Sequence, residues 1–389
     1  MKHKRIILSV TNDLVTDQRV HRSCTALCEA GYDVTLVGRR LPESVALQRP
    51  YRTVRMRLLF RKKAVFYAEY NLRLFLRLLF SRTDAFYAND TDTLPANYLA
   101  AVLRRKPLFF DAHEMFPEVP ELVGRPRVKR FWTRIEDRIF PKLTRPHCAA
   151  ATVCQSIADI YQQRYGLKMC VVRNVPMSFP SHNADAERLV AELPADKRIL
   201  LYQGAVNIGR GIEWIMAAMP YLPDCHLVVA GVGDIFQQLK REAADAKLEN
   251  VTFLGRVEPS ILHCLTSSAA LGLSLLENRG LNYYYSFPNR IADFVQAGVP
   301  VLATDFPEIR RVVQTYNIGT LVEQAPFDAS TQCSMPPDPQ FLAQTIRDTL
   351  AYWDNLPLDE RRSRFEHAAA DLNWNNDKKT LLNQVDTIF

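Results

Sequence analysis

The chain has 389 residues, 48% hydrophobic and 23% charged, which is too long for one ordinary core and suits two globular domains. Its eight cysteines are scattered with no C-x-x-C pair and no metal-ligand spacing, which argues against a disulfide framework and for free thiols in a reducing, cytoplasmic compartment. The net charge of +7 gathers partly in residues 52–63 and 125–145, clusters that either attract phosphates, nucleic acid or an anionic membrane, or are solvated helix faces.

The N-terminal MKHKRIILSV runs straight into a strand, and its apolar run is too short for a signal peptide. No apolar run reaches about 18 residues, so no membrane span is expected. Strands are predicted at 5–10, 33–37, 84–88, 108–111, 149–153 and 169–172, with helices at 18–30, 66–81, 93–103, 128–143 and 156–165. Gly31 and Gly166 stand where helices would end. The helix 66–81, FYAEYNLRLFLRLLFS, carries one polar stripe of Glu69, Arg73 and Arg77; it is read as a core helix, the alternative being a membrane-interface helix. Residues 175–197 are polar, contain prolines and read as a linker. A second series follows, with strands at 199–203, 227–230, 251–254, 269–275, 301–303 and 318–322. Helices at 211–219, 235–244, 259–267, 288–297 and 307–314 alternate with them, and three more finish the chain at 341–353, 358–371 and 377–388. Continuous apolar strands separated by helices imply α/β architecture: two doubly wound, Rossmann-like domains facing across a cleft.

In such sheets ligands lie beyond the carboxyl ends of the strands, so the following loops are the candidate sites. After the first strand come Asn12 and Asp13; Asp17 reads as a helix cap, which leaves the other two unexplained. After 84–88 come Asn89 and Asp90, with Asp92 read as an N-cap or first-turn charge. After 108–111 comes Asp111-Ala112-His113-Glu114, where acids flank His113 as a polar contact or proton acceptor. In the second half, Gly204 leads to Gly209-Arg210-Gly211 at a helix start, a ready anion site. Gly231 and Gly233 make a second glycine turn, and Gly255-Arg256-Val257 ends a third strand. No G-x-G-x-x-G follows the first strand, which argues against a dehydrogenase.

These segments resemble the GT-B fold, retaining family 4 glycosyltransferases (glycosyl transferases group 1). The similarity rests on LYQGAVNIGRGIEWIMAAM, LVVAGVGD, VTFLGRV, DAHEMFPEVPEL, VVRNVP and, in LLENRGLNYYYSFPNRIADFVQAGVPVLATD, an E-x-x-G-L with a later acid. The resemblance implies an acceptor-side domain at 1–180, completed by a C-terminal helix, 374–389, crossing back onto it. It implies a donor-binding domain at 181–373. It makes Arg210 the diphosphate cation, the turns at Gly204, Gly209, Gly231, Gly233, Arg256 and Val257 the nucleotide cradle, and His113 and Glu277 the catalytic contacts to the sugar. Gly280 and Leu281 belong to the acid motif. Its second acid would be Asp293, a ribose contact, sixteen residues after Glu277 where relatives keep seven between them, with 282–289 apparently inserted. Ala205 stands where many relatives have arginine, so Arg290 would supply that cation and Ser286 a hydrogen bond to the phosphates. Asn12, Asp13, Asn89 and Asp90 would face the acceptor. The implied reaction moves a sugar from a nucleoside diphosphate sugar (UDP- or GDP-sugar) to a glycan or lipid-linked glycan hydroxyl in envelope or surface-glycan synthesis. Neither metal nor prosthetic group is expected. The expected partner of the basic clusters is an anionic membrane surface, at the cytoplasmic face, and not nucleic acid. The alternatives are a GT-B sugar-nucleotide epimerase and a non-catalytic nucleotide-sugar-binding assembly protein.

Overall fold

The computed structural model describes residues 4–15, 17–119, 122, 124–176, 183–323 and 335–389; Cys333 and the stretch 177–182 lie outside these. The chain divides into two compact units, Met1–Asn174 with Asn375–Phe389, and Val175–Trp374.

The first unit runs β1 (Arg5–Asp13), α1 (Gln18–Glu29), β2 (Asp33–Arg40), β3 (Arg52–Arg57), α2 (Lys63–Leu79), β4 (Ala85–Asn89), α3 (Leu94–Arg104), β5 (Leu108–Ala112), α4 (Pro126–Ile139), β6 (Cys148–Thr152), α5 (Gln155–Tyr165) and β7 (Cys170–Val171). The strands form one seven-stranded parallel sheet in the order β3-β2-β1-β4-β5-β6-β7. All five residues of β4 and of β5 are buried, as central strands covered on both faces require. β3, RTVRMR, lies inside what reads in sequence only as a basic cluster; its charges suit an edge strand, where they discourage further pairing. α2 buries Phe66, Tyr70, Leu74 and Leu78, one residue in every four, and Glu69 pairs with Arg73 at 2.8 Å. The opposite face of α2 is also apolar and points outward, so the core reading accounts for only one side of this helix.

The second unit runs α6 (Ala184–Ala191), β8 (Arg198–Gln203), α7 (Ile212–Ala218), β9 (Cys225–Ala230), α8 (Phe236–Asp245), β10 (Val251–Gly255), α9 (Pro259–Ser267), β11 (Leu271–Ser274), α10 (Leu281–Tyr284), α11 (Asn289–Gln296), β12 (Val301–Thr304), α12 (Pro307–Tyr316), β13 (Gly319–Val322), α13 (Pro339–Asn355) and α14 (Leu358–Asp371). Its six strands are parallel in the order β10-β9-β8-β11-β12-β13. Alternate strand residues feed two apolar layers. Leu200, Tyr202, Leu227 and Val229 pack in one, and Ile199, Leu201, Val228 and Ala230 in the other. The polar stretch read as a linker contains α6, which is capped by the Asn183 side chain accepting from the Asp185 and Ala186 amides.

The last helix, α15 (Trp374–Asp386), belongs from Asn375 onward to the first unit, so the chain ends by returning to the domain where it began. Leu381, Val385 and Ile388 are buried at helical spacing, each contributing about 1.5–3 kcal/mol. Asp377, with its side chain 2% exposed, accepts from the Arg173 backbone amide at 2.5 Å and from its guanidinium Nη2 at 3.1 Å. Asp377→Ala is expected to remove a buried carboxylate from the Arg173 amide and guanidinium and destabilise the first unit by about 3 kcal/mol, read as a lower Tm of that unit by scanning calorimetry.

Candidate functional site

The second sheet changes winding direction at β8, which has β9 on one side and β11 on the other. Such a switch point leaves a crevice beyond the strand ends. Here the backbone packs too closely for side chains. A Cβ on Gly231 would overlap the Gly204 carbonyl oxygen, and one on Gly211 would overlap the carbonyl of Leu275. These contacts hold the turns after β8, β9 and β11 together. A pocket of about 230 Å³ opens at the same edge, lined by Gly204, Gly231, Arg256, Val257 and Leu262 among others. Gly233 sits against Val206 and Asn207, and Gly209 against Arg279 and Tyr283.

Two cations meet this edge. Arg290, on the first turn of α11, is 7% exposed and stacks 4.2 Å over the Tyr202 ring. Its Nη2 is the atom nearest the open side of Gly204, and its buried Nη1 has no hydrogen-bond partner. No carboxylate lies within ion-pair distance of it among the described residues. Burial lowers its pKa, Tyr202 opposes that and Arg210 adds to it. Arg210 lies 4.7 Å over the Tyr283 ring, and its buried Nε is also without a partner. A buried guanidinium without a counter-ion is costly unless an anion arrives to meet it.

The acidic side is more fully paired. Glu277 is tied down by its amide donating to the Gly209 carbonyl at 3.0 Å and by its Oε2, 2.7 Å from Arg279 Nη1. Glu213, at the start of α7, has a buried Oε2 without a partner; burial raises its pKa, Glu277 raises it further, and Arg279 opposes the rise. Asp293 accepts from Gln203 Nε2 at 3.0 Å, and Gln203 Oε1 in turn accepts from Thr266 at 2.7 Å. Gly280 caps α10, whose Leu281 is 44% exposed. Ser286 donates to the Tyr283 carbonyl at 2.8 Å, so its hydroxyl is spent on the loop itself. The three tyrosines pack under this loop: Tyr283 supports Arg210, and Tyr284 stacks on Tyr285 and Phe306. Arg279, Glu213, Gln203 and Tyr202 carry no sequence signal of their own; only their neighbours in space mark them.

In the first unit the switch lies between β1 and β4, and a charge network fills it. Fully buried Asp111 accepts from Arg19 Nη2 at 2.7 Å and from the Tyr87 hydroxyl at 2.8 Å, and lies 3.3 Å from His113 Nε2. Burial raises the Asp111 pKa, but Arg19 and His113 outweigh it and hold the group well below the carboxylate range. Asp90 accepts the His113 amide at 2.7 Å and lies 3.2 Å from Nδ1. Burial lowers the His113 pKa, yet Asp90 and Asp111 raise it to about 10. Between the two sequence options the geometry therefore favours a cationic polar contact over a proton acceptor. Asn89 is buried and donates to the Ser9 carbonyl at 3.0 Å, with its Oδ1 unpartnered. Asp13 pairs with Arg55 at 2.8 Å and with Ser44. Asn12 donates to Asp17, the cap of α1, so capping does account for it. Asp92 is not the N-cap of α3, which is Thr93; it is buried and accepts from Thr11 at 2.5 Å. Arg19, the cation on which this network turns, has no distinguishing mark in the sequence.

Two parallel, doubly wound units with a returning terminal helix define the GT-B class of glycosyltransferase folds. Residues 197–350 match the family profile described as "Glycosyl transferases group 1", and residues 17–176 match "Glycosyltransferase Family 4". The two matches span both halves of the chain, which belongs to the GT-B glycosyltransferases of group 1. Among solved structures it is similar to sucrose-phosphate synthase from Thermosynechococcus elongatus, at 19% identity and TM-score 0.78, covering 100% of this chain and 99% of that one. It is similar to Anabaena HepE in complex with UDP-glucose, at 14% identity and TM-score 0.72, covering 99% and 100%. It is also similar to WaaG, a glycosyltransferase involved in lipopolysaccharide biosynthesis, at 14% identity and TM-score 0.68, covering 97% and 99%. A search of curated protein sequences returns no match.

His113 is expected to stay protonated through the neutral range. Because its folded pKa of about 10 exceeds the ordinary 6.5, its contribution to stability is complete below 6.5 and is lost as pH rises through about 10. Imidazole NMR shifts should titrate with a midpoint of about 10; a midpoint at the ordinary value would mean that the two carboxylates do not hold the ring.

Proposed function

We propose that this glycosyltransferase takes a nucleoside diphosphate sugar as donor and transfers the sugar, with its anomeric configuration retained, to a hydroxyl of a glycan or lipid-linked glycan in cell-envelope or surface-glycan assembly. The observation that carries the reading is Arg290, a buried cation without a counter-ion beside the Gly204–Gly231 turns, with Arg210 nearby. A diphosphate placed there supplies the missing negative charge. HepE, a structural neighbour, is in complex with UDP-glucose, which supports the same donor class for this chain.

In the reaction the bond from the sugar's anomeric carbon to the diphosphate oxygen breaks, and a bond from that carbon to the acceptor oxygen forms. The acceptor hydroxyl gives its proton to the departing phosphate oxygen, from which it passes to water, and the diphosphate leaves with an added negative charge. Two guanidiniums fixed by aromatic stacking are already oriented for that charge, so little reorganisation is needed as it develops. The pocket at Arg256 and Val257 would take the base, Asp293 the ribose, and Glu277 the sugar hydroxyls, with Gly280 and Leu281 shaping that turn. His113, held as a cation, would contact the sugar, and Asn12, Asp13, Asn89 and Asp90 would form the acceptor side. Ser286 reaches the phosphates only if it leaves the Tyr283 carbonyl.

Arg210→Ala and Arg290→Ala should each lower kcat/KM about 100-fold, and Glu277→Ala should abolish transfer, with Tm preserved in all three. Full activity in these variants would sink the assignment. Nucleoside diphosphates should raise Tm, at saturation a hundredfold above Kd by about 2.7 kcal/mol of added stability. NMR of the product anomer tests retention, and a donor altered without acceptor would mark an epimerase instead.

A further inference from the structure

A second arginine site lies in the first unit, away from the donor-site residues and from the Asp111–His113 network. A pocket of about 300 Å³ is walled by Arg39 and Arg40 at the end of β2, Arg57 at the end of β3, Arg61 before α2, and the rings of Phe60 and Phe66. Arg40 and Arg57 are direct partners in the β2–β3 register, so like charges face each other across adjacent strands, an arrangement that costs stability. Arg39 is held 5.0 Å from the Phe66 ring, and its buried Nε has no hydrogen-bond partner. None of the four arginines has a carboxylate within ion-pair distance among the described residues. Two neighbours in the same basic cluster do: Arg52 pairs with Asp33 and Arg55 with Asp13. The arginines that wall the pocket are left bare.

What surrounds it is apolar and exposed. Half-exposed Phe60 lines it, and Leu59, next in the chain, is 78% exposed. Val65, Leu72, Leu76 and Phe80, spaced seven, four and four, continue along one face of α2 and its cap. Leu72 is 60% and Phe80 80% exposed. This stripe is opposite the buried Phe66-Tyr70-Leu74-Leu78 stripe and runs about 22 Å at the helical rise of about 1.5 Å per residue. Neighbouring α3, bridged to α2 through Asn71 and Arg104, adds exposed Leu99, Val102 and Leu103. No helix among the described residues is long and apolar enough to cross a membrane. A cationic pocket opening beside a strip of outward leucine and phenylalanine fits a surface that offers phosphates at one depth and hydrocarbon just beneath, which a nucleic acid or a soluble phosphate does not.

We infer that the outer face of α2 docks on an anionic phospholipid surface and that the arginine pocket takes a lipid phosphate headgroup. This goes beyond the donor site and uses none of its residues, so vesicle binding can fail while sugar transfer stands, and the reverse. The full chain should co-sediment with vesicles of phosphatidylglycerol and phosphatidylcholine, release at high salt, and ignore phosphatidylcholine alone. Arg57→Ala with Arg61→Ala should weaken partition by about tenfold, and Leu72→Ser with Phe80→Ser should weaken it comparably, with Tm not lowered in either. Four results would overturn the proposal. One is binding to neither vesicle, and another is equal binding to both. A third is loss in the arginine variant alone, with inorganic phosphate raising Tm, which would make the pocket a soluble-anion site. The fourth is sedimentation of the chain without lipid as a dimer that the leucine variant dissociates.

Discussion

Every strand in both sheets is parallel, and this constraint governs the rest. A parallel pair must be joined by a crossover, so each sheet carries helices on both faces and must reverse its direction of winding once. At the reversal two loops diverge and leave backbone amides and helix starts around an opening that no side chain of the sheet fills. The first sheet reverses between β1 and β4, the second between β8 and β11. Charged side chains gather beyond both points. Asp90, Asp111 and His113 gather at one; Arg210, Glu277 and Arg290 gather at the other.

The two reversals differ in how their charge is balanced, and the difference is chemical information. In the first unit Arg19 lies beside Asp111, and His113 between Asp111 and Asp90. These charges are balanced within the chain itself. In the second unit Arg290 has stacking below it and no counter-ion. Stacking on an aromatic face places a guanidinium but does not discharge it. Holding bare cations in place costs stability, and this cost is what the proposed diphosphate would offset.

The alternation of strands and helices, and with it the two-domain architecture, was legible because buried parallel strands read as unbroken apolar runs. What sequence missed had the opposite character. β3 is made of arginines because it is an edge strand, and α6 is polar because it is a surface helix with Asn183 as its cap. The turns at Gly204, Gly209 and Gly231 were legible because positive φ at the first two and close backbone approach at Gly231 demand glycine. Arg19 and Gln203 were not, since their significance depends on partners 92 and 90 residues away in sequence and on burial that only the folded chain creates. Asp92 was misread for the same reason: its position suits a helix cap, but Thr11 from another strand takes it.

The segment 282–289 illustrates how an apparent interruption of a motif can preserve its physics. Two acids set farther apart in sequence would lose their relation if the intervening chain simply looped out. Instead α10 turns the chain back, and α11 begins so that Asp293 meets Gln203 at the end of β8 while Arg290, one turn earlier, meets Tyr202 on the same strand. The tyrosines make that turn rigid. Tyr283 carries Arg210 on its ring, Tyr284 anchors on Phe306, and the Tyr283 carbonyl takes the Ser286 hydroxyl. Within 282–289, Tyr283 furnishes the aromatic support for one of the two bare cations, and Tyr202 furnishes it for the other. Each guanidinium is fixed on a ring rather than by a carboxylate, which is the arrangement that orders a cation while leaving its charge available.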